Sequence, residues 1–296
     1  MSHTDIRPDF VSRLPVWCRP YALLSRWDRP IGTWLLLLPC WWALCLAPGI
    51  PSLWLAGLFG IGSVIMRGAG CTINDILDRN LDAKVERTRG RPLPSGAVTL
   101  FEAVLWLALQ LLAGLGILLM LPPLAVWLGV ASLLLVGTYP LMKRITWWPQ
   151  LFLGLTFNCG ILLGWAAATG SLAPQVLWLY GGAIAWTIVY DTIYAHQDKQ
   201  DDALVGVKST ARLFGSRSRP ILALFAVLAM LLFAGAGWQS GLGRGYFLGL
   251  GAAALHLAWQ LLAWLPDDPA DSLRKFRSNR DFGFIILGAI LLGKMT

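Results

Sequence analysis

The sequence predicts an all-α, polytopic integral membrane protein: a bundle of about nine transmembrane helices. Three observations carry this. The 296 residues are 56% hydrophobic and only 14% charged, with a mean hydropathy of +0.61, where a soluble domain carries about a quarter charged residues. Long stretches such as Pro30–Met66 and Ala103–Met142 hold no Asp, Glu, Lys or Arg. The apolar runs are continuous rather than alternating, so they read as helices and not as barrel strands.

A hydrocarbon core about 30 Å thick needs about 20 apolar residues of helix. Runs near that length lie at Ile31–Ala47, Ser52–Cys71, Leu100–Met120, Leu124–Leu141, Leu151–Ala168, Val176–Tyr194, Ile221–Trp238, Tyr246–Leu265 and Phe282–Leu292, the last of them short. The connections form two unlike sets. Tight turns at Pro48–Pro51, Leu121–Pro123, Thr169–Gln175 and Gln239–Gly245 lie on one side. The N-terminal segment and Thr72–Thr99, Lys143–Gln150, Ala195–Pro220 and Pro266–Asp281 lie on the other.

All the basic residues but Arg244 and Lys294, and every acidic residue, fall on the second side, which the positive-inside rule makes cytoplasmic. The expected topology has the N-terminus and any charged site inside and the C-terminus outside. The host membrane is then a bacterial inner membrane in preference to a mitochondrial one. The net charge of +8 is therefore a statement about orientation, and nucleic acid is excluded as a partner.

Residues 1–29 form an Arg-containing cytoplasmic or interfacial segment without the apolar core of a signal peptide, and 30–296 form the membrane domain. The five cysteines have no CxxC spacing and read as small apolar filler. Gly160-xxx-Gly164 and Gly245-xxx-Gly249 read as close helix contacts.

The acidic residues are the unexplained feature. After the second run, Asn74, Asp78 and Asp82 fall at i, i+4 and i+8, on one face if the helix continues, with Asp75 at the flank. Stacked carboxylates repel each other by a few tenths of a kcal/mol per pair and call for a cation. Oxygen donors without His or Cys suit a hard ion such as Mg²⁺, which completes its shell with water and substrate phosphates. The loop after the sixth run repeats the pattern with Asp191, Asp198 and Asp202. Arg87, Arg89 and Arg91 follow the first cluster, and Lys208 and Arg212 the second. Two such rows, facing each other with cations close behind, would hold a metal-bridged diphosphate. Solvated helix ends explain one such cluster well and two poorly.

These residues also carry a resemblance. Asn74-Asp75-x-x-Asp78-x-x-x-Asp82 and Asp198-x-x-x-Asp202 match the two Asp-rich motifs of the UbiA superfamily of intramembrane prenyltransferases. Tyr190–Gly215, Arg91–Gly96, Arg26–Pro39 and Tyr139–Gly154 are similar to that superfamily's 4-hydroxybenzoate branch, which acts in ubiquinone biosynthesis. The resemblance implies polyprenyl diphosphate and 4-hydroxybenzoate as substrates, Mg²⁺ as cofactor, and an acceptor ring attacked ortho to its hydroxyl.

It further implies that Asn74, Asp78, Asp82, Asp198 and Asp202 hold metal and diphosphate, with Asp75 and Asp191 in support. Arg87, Arg91 and Lys208 would meet the diphosphate and Arg144 the aromatic carboxylate, while Tyr194, Phe157 or Trp165 would shield the allylic cation. Asn158, an amide within a span, either lines the substrate cavity or bridges two helices. His256 reads as a helix-contact group, and His196 points away from Asp198.

Three rivals remain: a superfamily member with a naphthoate, haem or chlorin acceptor, a secondary transporter, and a lipid-alcohol phosphotransferase. A transporter would carry its ionisable groups near the midplane. The phosphotransferase motif requires Gly after the second Asp of DxxD, where Arg79 follows Asp78.

Overall fold

The computed structural model describes residues 11–296 apart from 85, 87 and 205. Among these, regular structure is helical throughout. In chain order the α-helices are α1 (Arg19–Leu24), α2 (Ile31–Leu46), α3 (Leu53–Asp82), α4 (Leu100–Leu118), α5 (Pro123–Ile145), α6 (Pro149–Phe157), α7 (Cys159–Thr169), α8 (Pro174–Ala195), α9 (Lys199–Leu204), α10 (Thr210–Phe214), α11 (Ser218–Gln239), α12 (Arg244–Leu262), α13 (Pro269–Arg277) and α14 (Asn279–Met295).

All nine apolar runs are helical. Seven segments are long and apolar enough to cross a membrane: α3, α4, α5, α6 with α7, α8 with the turn after it, α10 with α11, and α12. The helix α2, at 16 residues, and α14, at 17, are shorter. Among the described residues, seven helical segments therefore meet the length and composition of a span, where nine spans were expected.

Local chemistry sets the helix ends. Proline occupies the first turn of α5, α6 and α8, where its missing N–H costs no helical bond. Thr99 and Glu102 form a reciprocal capping box at the start of α4. Gly170, at φ 70°, closes α7 in the left-handed conformation.

The chain divides into two compact units. The first takes the residues up to Trp34 together with Gly60–Met120, and the second takes Leu35–Phe59 and Leu121–Thr296. In the first unit Leu24, Val98 and Ala103 form a buried cluster, with Tyr21, Ile76, Leu93 and Trp106 packed against it. The short α1 is thereby fastened onto α3 and α4.

In the second unit α8 packs along α11 and α6, α12 pairs with α14, and α13 lies against α8. Its centre is aromatic. Trp186 sits 5.3 Å from Trp42 and 5.1 Å from Phe282, ring centre to ring centre. Both indoles are satisfied: Trp42 Nε1 donates to the Gly283 carbonyl and Trp186 Nε1 to Asn279 Oδ1, each at 2.8 Å. Asn279 also accepts from Gln260, whose amide reaches His256. The intramembrane histidine thus belongs to helix packing, through a polar network that would be costly to leave open in hydrocarbon.

The glycine pairs are close contacts. A Cβ on Gly164 would lie 2.8 Å from the Cys40 carbonyl oxygen, and one on Gly249 would lie 2.4 Å from Ala289 Cβ. Gly164→Val is expected to force α2 and α7 apart and lower stability by about 2 kcal/mol, measured as a reduced unfolding midpoint in detergent. An unchanged midpoint would mean that this contact is loose.

Candidate active site

The first Asp-rich motif lies in the first unit. The helix α3 runs unbroken from Leu53 to Asp82, so Asn74, Asp78 and Asp82 are stacked on one face as expected. Asp75 is fully buried, Asp78 and Asp82 are buried, and Asn74 is half-buried. Carboxylates this far from water need partners.

Two arginines supply them. Arg26 Nη2 donates to both oxygens of Asp75, at 2.7 and 2.8 Å, and Arg26 Nη1 donates to the Leu23 carbonyl at 2.8 Å. Arg91 Nη1 donates to Asp82 Oδ2 at 2.7 Å and makes a longer 3.3 Å contact with Asp75 Oδ1. Burial is the largest influence and opposes the Arg26 charge, but the charge and hydrogen bond of Asp75 together with the other acidic groups nearby, Asp28 among them, raise the guanidinium pKa above its ordinary value.

The placement of Arg26 begins in α1. This helix ends with the Trp27 amide bonded to the Ala22 carbonyl and the Arg26 amide to the Leu23 carbonyl, the Schellman pattern, whose left-handed residue is usually glycine. Here it is Arg26, at φ 57°, although an L-residue in that conformation costs about 1–2 kcal/mol. Its neighbour Ser25 accepts from Trp106 Nε1 at 2.9 Å and from Gln110 Nε2 at 3.0 Å. Gly68 makes room for Gln110, because a Cβ there would come within 2.4 Å of that amide nitrogen. Arg91 is carried on a turn fixed by Thr88, which donates its hydroxyl to the Asp82 carbonyl at 2.9 Å and accepts the Arg91 amide at 3.0 Å.

Arg26 is the site residue that sequence reasoning passed over. Arg67 lies two turns before Asn74 on α3, against Gly32, where a Cβ would be 2.3 Å from Arg67 Nε. Arg87 lies outside the described residues.

The second motif lies in the second unit and is less regular. The helix α8 stops at Ala195, a 3₁₀ turn covers His196–Asp198, and α9 begins at Lys199. Asp191 and Asp198 are therefore not on one continuous α-helix, while Asp198 and Asp202 flank the restart; all three are half-buried. The break is held by His196, whose Nε2 is 2.9 Å from Ser218 Oγ and whose ring meets Trp264 edge-on at 4.7 Å. His196 is spent on packing and stands apart from the motif.

Tyr194 stacks on Phe276 with ring centres 4.3 Å apart. Lys208 donates its amide to the Lys143 carbonyl at 2.9 Å and its ammonium to the Ile145 carbonyl at 3.0 Å. It thus caps the end of α5 that carries the exposed Arg144. In this state the Lys208 charge meets a helix C-terminus. Arg212 donates to the Val207 carbonyl and lies over the Trp147 ring.

Asn158 is corrected more fully. It is completely buried, and its Nδ2 donates to the Gly154 carbonyl and to Thr187 Oγ1, both at 2.8 Å. The side chain competes for its own helix carbonyl, separates α6 from α7, and bridges to α8. This is the helix-bridging reading, not the substrate-facing one. Trp165 is likewise buried, at 3% exposure.

No three His, Cys, Asp or Glu side chains converge on a ready-made metal position among the described residues. The donor set nevertheless suits a hard cation, because each motif offers oxygen ligands only. In the first motif Asp75 and Asp82 are turned toward guanidinium groups.

Fold and site together define an integral membrane protein of helices, with Asp-rich motifs toward the ends of two of them. Residues 36–286 match the model of the UbiA prenyltransferase family. The chain belongs to that family.

It is 52% identical to the mitochondrial 4-hydroxybenzoate polyprenyltransferase of Arabidopsis thaliana over 95% of this chain and 70% of that protein. It is 49% identical to the Homo sapiens protein of the same name over 96% of this chain and 78% of that one. Among solved structures, a UbiA homolog from Aeropyrum pernix K1 superposes with a TM-score of 0.76 at 28% identity, covering 89% of this chain and 98% of that one. A homolog from Archaeoglobus fulgidus, solved bound to GPP and Mg²⁺, gives 0.66 at 20% identity over 90% and 99%, a likeness of fold.

Proposed function

We infer that the protein transfers a polyprenyl group from a polyprenyl diphosphate to the ring of 4-hydroxybenzoate, ortho to the hydroxyl, and releases diphosphate, a step of ubiquinone formation. The observation that carries this reading is the identity of about one residue in two, along 95% of the chain, with proteins named for that reaction.

In this reading Asn74, Asp78 and Asp82 of the first motif and Asp198 and Asp202 of the second hold Mg²⁺, with Asp75 and Asp191 in support. When bound, the ion neutralises charge on the departing diphosphate. Arg91, Arg87 and Lys208 donate to the diphosphate oxygens, where charge grows as the allylic C–O bond breaks. Tyr194 offers a ring face to the resulting cation-like carbon. The phenol ring attacks that carbon, then loses a proton to restore aromaticity. Arg144 holds the acceptor carboxylate and so orients the ring.

The mitochondrial names of the relatives weigh against the bacterial membrane expected from composition. In either membrane, the site is on the face that carries the basic loops.

Arg144→Ala is expected to raise the KM for the aromatic acid about tenfold and to leave that for the prenyl diphosphate nearly unchanged. Equal KM values for the acid in variant and wild type would remove Arg144 from the acceptor site.

An acceptor panel tests the reading as a whole. Purified protein given a polyprenyl diphosphate with 4-hydroxybenzoate, a dihydroxynaphthoate or haem is expected to prenylate the first. Product from another acceptor alone would move the chain to a different branch. No product with any of them, alongside coupled flux in liposomes, would replace the enzyme reading by transport.

A further inference from the structure

The two guanidinium groups at the first motif are held in different ways. Arg26 is fixed: its backbone occupies a left-handed position, its neighbour Ser25 is held by Trp106 and Gln110, and its side chain is only 12% exposed. It engages both oxygens of Asp75, whose side chain has no exposure, and Arg91 adds only a 3.3 Å contact there. Arg91 extends from a turn between helices, its side chain is 23% exposed, and its 2.7 Å contact is with Asp82. Asp82 is also the carboxylate at the C-terminal end of α3, where the helix opens into the loop.

We propose that Arg91 is the resident cation of the first motif: in the metal-free protein it occupies Asp82, and it is exchanged for the divalent ion when metal and diphosphate arrive together. This rests on the reading of Asp82 as a metal ligand. Asp75–Arg26 is the permanent pair and Asp82–Arg91 the exchangeable one.

In the exchange, the Asp82 carboxylate gives up the Arg91 N–H donors and takes the metal. The freed guanidinium finds its new acceptors on the diphosphate, so the number of satisfied charges is conserved. Two consequences follow. Metal alone binds weakly, because it must strip a charge-assisted hydrogen bond from Asp82 and leave Arg91 with only its longer 3.3 Å contact to Asp75 among the described residues. Diphosphate strengthens metal binding, and by linkage metal strengthens diphosphate binding. Arg91 is thus a positioning residue, one that keeps the carboxylates from collecting stray divalent ions and delivers its own charge to the substrate.

The test is Mn²⁺ binding to the full-length protein in detergent, read by electron paramagnetic resonance without substrate and again with inorganic diphosphate. Arg91→Gln is expected to bind Mn²⁺ about tenfold more tightly than wild type in the absence of diphosphate, and to show a smaller gain when diphosphate is added. A variant that had merely lost structure would bind more weakly. Arg91→Met, which keeps the apolar stem, gives the same reading should the Gln variant fail to fold. Mn²⁺ affinity in both variants equal to or below that of wild type would overturn the proposal. Asp82→Ala separates the two levels of the argument: it weakens Mn²⁺ binding if Asp82 is a ligand, and an unchanged affinity would overturn the ligand assignment itself.

Discussion

Asp78→Ala is expected to reduce turnover by about a thousandfold or more while leaving a folded, membrane-inserted protein. Asp78 is buried, at 2% exposure, within a row of carboxylates spaced four residues apart, and removing one member of such a row relieves repulsion in the metal-free chain. Helicity by circular dichroism should therefore match wild type, with the loss falling on the reaction. Asp198→Ala should behave alike, because Asp198 sits half-buried where the 3₁₀ turn meets α9. Near-normal turnover by either variant would take that carboxylate out of the site.

Arg26→Ala is expected to fail differently, by loss of stability. Among the described residues it leaves Asp75, a carboxylate with no solvent exposure, with only the 3.3 Å contact from Arg91. Removing one partner of a buried pair costs about 3–5 kcal/mol. Arg26→Gly separates the two parts of this effect. Glycine accepts the left-handed backbone freely, so Arg26→Gly should be more stable than Arg26→Ala by about 1 kcal/mol and still well below wild type. Adding Asp75→Asn to either variant should restore part of the loss, since it removes the orphaned charge. Wild-type stability for Arg26→Gly would mean that the Asp75–Arg26 pair contributes no more than the backbone strain that glycine relieves, about 1 kcal/mol.

Much of this architecture is legible in the sequence because membrane helices announce themselves by continuous apolar length, and the first motif by its four-residue spacing along one helix. What was not legible has physical reasons. The helix α13 is nine residues long and charged, inside a stretch that composition makes a loop. Its buried face, with Leu273 and a Lys275 ammonium 4.2 Å from the Trp259 ring centre, is set by tertiary contacts.

The break at Asn158 comes from an amide bonding its own helix carbonyl, and the one after Ala195 from a buried histidine. Neither leaves a proline or glycine as a marker. Arg26 escaped because a charged residue in an N-terminal stretch rich in arginine looks ordinary. Only its left-handed backbone and the buried Asp75 opposite it, 49 positions along the chain, single it out. The bond from Lys208 to the Ile145 carbonyl was not legible either, because it joins positions 63 residues apart.

The measurement that bears most directly on the central claim is product analysis by mass spectrometry of purified protein given 4-hydroxybenzoate and a polyprenyl diphosphate, with Mg²⁺, with excess chelator, and with Mg²⁺ restored. The account predicts 3-polyprenyl-4-hydroxybenzoate in the first and third conditions and none in the second. Full product in the presence of chelator, or no prenylated acid under any of the three, would contradict it.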